Sequence, residues 1–237
     1  MTELSFLKDN YKNETVLLLA PGPSLNDFKD NFGNNIKRCC VNGAILHENI
    51  RNNLDFFIWC GDLDIPEHKV PSYHYIMDIL PILNNNILKF VNCWTDGEII
   101  NPGWGLKTQI DPEKARNLGF IPYDQTYHKN DPANHFHKDL EIKGKAVDGL
   151  SVAFHAIQIL FFMGVEEIIL VGFDCGGDHS YKVKYKNDIC EWNKNIDKNL
   201  VDRWKMYKKF MEKFYPDRKI KVINPKGLKN IFEELKI

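Results

Sequence analysis

The stretch Val171-Gly-Phe-Asp174-Cys-Gly-Gly-Asp-His179-Ser-Tyr181 holds more chemically reactive side chains than any other part of the chain. His179 can take a proton near neutral pH, and Tyr181 can donate a hydrogen bond to a departing phosphate. Asp174 follows an apolar run, and Gly176-Gly177 opens backbone angles closed to other residues. A solvated surface turn would use the same residue types. A second group is Asp62 with Asp64, whose D-x-D spacing puts both carboxylates on one side of an extended chain, suited to a magnesium ion bridging two phosphates. Acidic turns share that spacing. A third is the turn Ala20-Pro-Gly-Pro-Ser-Leu25, where Gly22 lets backbone approach a ligand and the amides and hydroxyl around Ser24 can receive phosphate oxygens. It matches neither the P-loop nor the dinucleotide pattern, and an ordinary proline-stiffened turn reads the same way.

Other candidates carry less. His128, His135 and His137 have part of a zinc spacing, with no cysteine or carboxylate set to complete it, and read as polar loop residues. His155 lies in an apolar helical pattern, where a satisfied core histidine is the expectation. Trp94, Trp104 and Tyr127 suit either a stacking wall for a sugar or base or an anchor for a loop.

These residues need elements to place them. Thr15 to Ala20 is a short apolar run ended by Pro21-Gly22-Pro23, read as a buried strand entering a tight turn, with Ser24 capping a short helix. Ile36 to Asn42 and Leu54 to Cys60 read as the next strands, so Asn42 and Asp62 stand at equivalent strand ends. Tyr73 to Met77 and Ile87 to Val91 are further strand candidates. From Cys93 to Val147 periodicity fades, and 93–147 reads as a long irregular insertion or cap over the strand ends within one domain spanning 1–237. Asp148 is the expected cap of a helix through Met163 that is apolar on nearly all sides, and Glu167 to Gly172 has the continuous apolar pattern of a strand covered on both faces. Trp192, Ile196, Leu200, Trp204, Tyr207, Met211 and Phe214 form one stripe of a long amphipathic helix. A strand at Lys219 to Ile223 and a terminal helix through Leu235 complete the alternation. Alternating strands and helices predict an α/β fold, a mostly parallel sheet with helices on both faces and ligand chemistry at the strands' carboxyl ends.

Composition sets the outer bounds. The 237 residues carry a net charge of −1, which supplies no positive field for a nucleic-acid backbone. The longest apolar run, Ala156 to Val165, is broken by Gln158 and Gly164 and is too short for a membrane span. The first residues lack the pattern of a secretion signal, so a cytoplasmic location is expected. The six cysteines include no CxxC pair and read as reduced thiols.

Taken in order, Ala20-Pro-Gly-Pro-Ser-Leu25, Val41-Asn42, Phe56-Phe-Ile-Trp-Cys-Gly-Asp62 and Gly149-Leu-Ser-Val through Gly164-Val-Glu-Glu-Ile-Ile-Leu-Val-Gly-Phe-Asp174 resemble a superfamily. Its groups are the motility-accessory-factor flagellin glycosyltransferases, the archaeal 6-hydroxymethyl-dihydropterin pyrophosphokinases and, more distantly, the bacterial sialyltransferases with a G-x-G-P-S-L turn. The resemblance spans roughly residues 15 to 62 and 148 to 181, with Asn224-Pro225 after the final strand, and does not cover the middle of the chain. It implies a Rossmann-like sheet that binds an activated nucleotide. Gly22, Pro23 and Ser24 would cradle phosphates, Asn42 and Ser151 would contact the nucleotide, Asp62 would lie beside the diphosphate, Asp174 would fall at the crevice, and Tyr181 would support the leaving phosphate. Those sialyltransferases carry their catalytic histidine beyond this tyrosine, whereas this chain has no histidine after His179. The general-base role given to His179 therefore comes from its own position.

The expected activity is glycosyl transfer from a nucleotide-activated donor to a hydroxyl acceptor, a small molecule or glycan. Asp174, His179 and Tyr181 would be catalytic and a magnesium ion would sit on Asp62 and Asp64. One alternative is an ATP-dependent pyrophosphokinase acting on a small alcohol such as a hydroxymethyl pterin, leaning on the carboxylates of Asp62, Asp64 and Asp174. Another is a non-catalytic nucleotide or carbohydrate binding module. The sequence leaves room for a homo-oligomer.

Overall fold

Apolar residues come in runs of four or five here, short enough for strands and too uniform for one-sided exposure. In a computed structural model, which describes residues 3–59, 76–84, 86–93, 112–127, 145–148, 151–177, 180 and 197–236, these runs form one parallel sheet. Among the described residues its strands are β1 (Thr15–Leu19), β2 (Lys37–Val41), β3 (Phe56–Trp59), β4 (Leu88–Cys93), β5 (Phe120–Tyr127), β6 (Lys145–Asp148), β7 (Glu167–Val171), β8 (Lys219–Val222) and β9 (Glu233–Glu234). They are ordered β6-β5-β4-β3-β2-β1-β7-β8-β9, and every pairing is parallel. This is the Rossmann-like α/β class that the alternation predicts.

Residues alternate between two covered faces, the signature of a sheet buried on both sides. Val16, Leu18, Cys39, Val41, Ile168 and Leu170 join one core, while Leu17, Leu19, Cys40, Phe57, Ile169 and Val171 join the other. The first core is covered by helices α3 (Val152–Phe162) and α4 (Lys198–Phe214), and the second by the connections that follow β1, β2, β3 and β4. Those connections include the short helices α1 (Glu48–Arg51) and α2 (Pro112–Asn117). Every residue of α3 from Ala153 to Phe162 is buried. Its Phe154 meets Trp204 at 4.7 Å and Tyr207 at 5.2 Å, and each such side chain contributes about 1.5–3 kcal/mol by leaving water. No helix among the described residues is long and apolar enough to cross a membrane.

The chain leaves β1 over one face to reach β2 and leaves β7 over the opposite face, through α4, to reach β8. The strand order therefore reverses between β1 and β7, and their outgoing loops part there. Such a switch point opens a crevice at the carboxyl ends of the strands.

Several local expectations need correction. Asp148 does not cap α3: it ends β6 paired with Tyr127, and Ser151 is the cap, its hydroxyl accepting from the Ala153 N–H at 3.2 Å. The stretch 93–147 is not irregular throughout, since α2, β5 and β6 lie within it and extend the sheet. Residues 76–79 are helical rather than extended, and the expected strand's earlier part lies outside the described residues. Ser24 does not cap a helix through its side chain: Pro23–Asp27 is a 3₁₀ turn with Gly22 at the cap position. The C-terminal helix is absent among the described residues. Asn230 takes a left-handed φ of 65°, which ends a helix, and Glu233–Glu234 adds to β8 as a strand. Helix α4 begins at Lys198, while Trp192 and Ile196 lie outside the described residues.

Candidate functional site

Backbone approach comes first at the switch point. The ladder between β1 and β7 continues past the strands, with Ala20 N–H donating to the Val171 carbonyl and Gly22 N–H to the Gly172 carbonyl, both at 2.9 Å. Gly172 has φ +77°, and a Cβ placed on it would collide with the Ala20 carbonyl oxygen. A Cβ on Gly22 would collide with the Gly172 carbonyl oxygen and Asp174 Oδ2. The two loops touch so closely that neither position admits a side chain.

Side chains then close the contact. Ser24 N–H donates to Asp174 Oδ2 at 2.8 Å, joining residues 150 positions apart. Leu25 N–H donates to the Gly22 carbonyl at 3.0 Å, and Pro21 and Pro23 have no N–H to offer. The amides of Gly22 and Ser24, expected to receive phosphate oxygens, are therefore engaged within the protein. What the turn retains for a ligand is the Ser24 hydroxyl. Ser24 and Asp174 are each 3% exposed, and Ser24 Oγ and Asp174 Oδ1 are buried without a hydrogen-bond partner among the described residues. Orphaned buried polar atoms are rare and costly, so two of them flanking one hydrogen bond mark a place prepared for a partner.

Beyond Asp174 the backbone runs through positive φ at Cys175 (56°), Gly176 (155°) and Gly177 (84°). Cys175 is held there by Asp197 N–H on its carbonyl at 2.7 Å. Burial, aided by the charges of Asp174 and Asp197, pushes its thiol up to about 12, which removes it as a nucleophile. Among the described residues Cys39, Cys40, Cys93 and Cys175 are free thiols, and burial likewise raises those of Cys39 and Cys40.

The segment then crosses the β1 turn. A Cβ on Gly177 would meet Pro23 Cγ at 3.2 Å, and Ser180 N–H donates to the Pro21 carbonyl at 2.7 Å. Ser180 Oγ lies 2.8 Å from His47 Nε2. His47 ends the 3₁₀ turn Asn42–Leu46 that follows β2, so it reaches the crevice from the neighbouring strand. Sequence reasoning passed over His47. The available signal was its place just beyond a strand end, on the same edge as Asn42.

The structure therefore brings Gly22, Pro23, Ser24 and Asp174 together. Asn42 stands on the same edge, because Leu19 pairs with Cys40 and Asn42 follows two residues later, half-buried with φ 44°. Ser151 starts α3, whose Phe154 packs on Trp204; Trp204 in turn meets Phe173, beside Asp174, at 5.8 Å. Its hydroxyl is committed to the helix cap. His155 behaves as a core histidine, its Nδ1 lying 3.0 Å from the buried Tyr123 hydroxyl. Asp62, Asp64, His179 and Tyr181 lie outside the described residues, as do His128, His135, His137, Trp94 and Trp104. Tyr127 is on β5, with its side chain outside the description. Among the described residues no group of three or more His, Cys, Asp or Glu side chains could hold a metal ion.

No family's sequence model and no curated protein matches the chain. Among solved structures, the sialyltransferase CST-II, as an asparagine-to-alanine variant in complex with CMP, is similar over 88% of this chain and 81% of its own, with TM-score 0.48 and 14% identity. CstII from Campylobacter jejuni with the substrate analogue CMP-3FNeuAc gives TM-score 0.46 and 15% identity over 94% of this chain and 86% of its own. The same enzyme with cytidine-5'-monophosphate gives 0.45 and 14%, over 89% and 80%. The likeness concerns the course of the chain and carries no part of the functional argument.

Proposed function

We propose that this chain is a glycosyltransferase-like enzyme that binds a nucleotide-activated sugar in the β1/β7 crevice and passes the sugar to a hydroxyl acceptor. The observation that carries the reading is the pair of buried, unpartnered atoms, Ser24 Oγ and Asp174 Oδ1, at the point where the strand order reverses. A carboxylate at that place in an open α/β sheet suits the hydroxyls of a ribose, and the serine hydroxyl can donate to a phosphate oxygen.

In the transfer, the acceptor oxygen forms a bond to the anomeric carbon while the bond from that carbon to the phosphate oxygen breaks. The nucleotide leaves with the electron pair, and the acceptor's proton goes to a base, the role given to His179. Tyr181 and a magnesium ion on Asp62 and Asp64 would stabilise the charge that develops on the departing phosphate. Loss of one such donor lowers turnover on the order of 10²-fold.

Calorimetry with CMP, UDP and GDP, their sugar derivatives and ATP, with and without magnesium, tests this directly. A nucleoside mono- or diphosphate should bind, and Asp174→Asn, which keeps an acceptor for the Ser24 amide, should weaken binding about 10-fold or more. Preference for ATP would replace sugar transfer by diphosphate transfer to an alcohol. Binding without transfer from any donor would leave a binding module.

A further inference from the structure

The chain from Asp174 to Gly177 has three successive residues at positive φ, two of them glycines, and such backbone has little tendency to order itself. It nonetheless carries Asp174, whose carboxylate must be fixed if it is to meet a ligand. Three contacts tie this part of the chain to the β1 turn: Asp174 Oδ2 with Ser24 N–H, Gly177 against Pro23, and Ser180 N–H on the Pro21 carbonyl. The fourth runs to the connection after β2, from Ser180 Oγ to His47 Nε2 at 2.8 Å across 133 positions of sequence. His47 is well placed to hold it, because Ala44, Ile45 and Leu46 just before it are buried in the core beneath the sheet.

We propose that His47 is a positioning residue: through Ser180 it clamps the chain that follows β7 over the β1 turn, and so holds Asp174 at the crevice. Ser180 is 1% exposed and His47 half-buried, so the serine end of the bond is shielded from competing water whichever partner carries the proton. His47 then acts on the ligand through Ser180 and the backbone, and touches no reacting atom. The consequence for binding rests on the nucleotide reading above, whereas the clamp itself does not.

The test is a double-mutant cycle of His47→Ala and Ser180→Ala, with His47→Gln as the rescue, since a glutamine amide can take the place of Nε2. Two readouts are followed: amide hydrogen exchange at position 180, and affinity for CMP and UDP by calorimetry. Each alanine variant should speed exchange about 3- to 10-fold, the double variant should be no faster than either, and His47→Gln should fall within about twofold of the parent. Affinity should drop in parallel. Unchanged exchange in His47→Ala, additive effects in the double variant, or no rescue by glutamine would each overturn the clamp. If the parent chain binds no nucleotide, the reading of the crevice fails, while the exchange cycle still decides the role of His47.

Discussion

At the amino edge of the sheet, where β2 and β3 begin, the charged groups of Asp30, Lys37, Arg38 and Asp55 answer one another. Arg38 places Nε and Nη2 on the two oxygens of Asp30 at 2.6 and 3.1 Å, Nη1 on the Ile36 carbonyl at 2.6 Å, and Nη2 also on the Phe32 carbonyl at 2.9 Å. Asp55 accepts from Arg38 N–H at 2.9 Å and from Lys37 Nζ at 3.0 Å. At the carboxyl edge, by contrast, Ser24 and Asp174 share one hydrogen bond and leave two buried atoms over. The first corner is finished as folded. The second keeps two buried polar atoms that no described residue satisfies, and that difference is what supports reading it as a place for a ligand.

Substitutions can break this contrast, and Gly22→Ala should have the largest effect. Its Cβ collides with backbone that is fixed by the β1–β7 ladder and cannot swing aside, so a loss of about 3 kcal/mol in denaturant unfolding is expected, together with loss of nucleotide binding. Gly33→Ala is the control. A Cβ there meets nothing within 4 Å, and stability should change by no more than about 0.5 kcal/mol. Arg38→Met comes next. It leaves Asp30 with only the Phe32 N–H and strips two carbonyls of their donor at a site where the arginine is 8% exposed, and should lower stability by about 2 kcal/mol while leaving nucleotide affinity alone. A fall in affinity there would show the two edges to be coupled.

The two corners also differ in how far the sequence reveals them. Strands β1 and β7 and helix α3 are continuous apolar runs, so their ends, and with them Gly22 and Asp174, can be located from local pattern. The contact between Ser24 and Asp174 and that between His47 and Ser180 span 150 and 133 residues and leave no trace in local spacing. Strand β5 is hidden for another reason. Its Phe-Ile-Pro-Tyr-Asp-Gln-Thr-Tyr sequence contains a proline, which reads as a break. Among the described residues β6 begins to pair only at Asp124, so Pro122 pairs there with β4 alone, a place where a missing N–H is tolerated. The C-terminal segment misleads in the opposite sense. Leu228, Ile231 and Leu235 have helical spacing, yet Leu228 and Ile231 are buried from a turn and Leu235 is half-buried just past a short strand.

Ser24→Ala sharpens the contrast with a smaller effect of unusual sign. Removing a buried hydroxyl that has no partner should leave the unliganded protein unchanged or more stable by up to about 1 kcal/mol. The same change should weaken nucleotide binding about 3- to 10-fold, because the donor prepared for the ligand is gone. A gain of stability with a loss of affinity identifies a group kept for function. Loss of stability without loss of affinity would place Ser24 with the amino-edge residues instead.

The smallest effect is a pH dependence confined to the amino edge. The hydrogen bond to Asp55, followed by the attraction of its charge, holds Lys37 above the ordinary 10.5. Burial raises the neighbouring Tyr11 phenol, an effect that Lys37 opposes and Asp55 and Glu14 reinforce. Both groups have folded values above their unfolded ones, so their stabilisation is complete below those ordinary values and is lost as pH rises through the raised ones. The pair of Lys37 with Asp55 is partly exposed, with side chains 36% and 31% accessible, which limits its share to about 0.5 kcal/mol. Denaturant midpoints followed from about pH 8 to about pH 12 should therefore show an alkaline loss that becomes shallower in Lys37→Gln. That variant should bind nucleotide at pH 8 as the parent does. If affinity fell with it, the charge at the amino edge would be acting on the crevice, and the division of labour between the two ends of the strands would not hold.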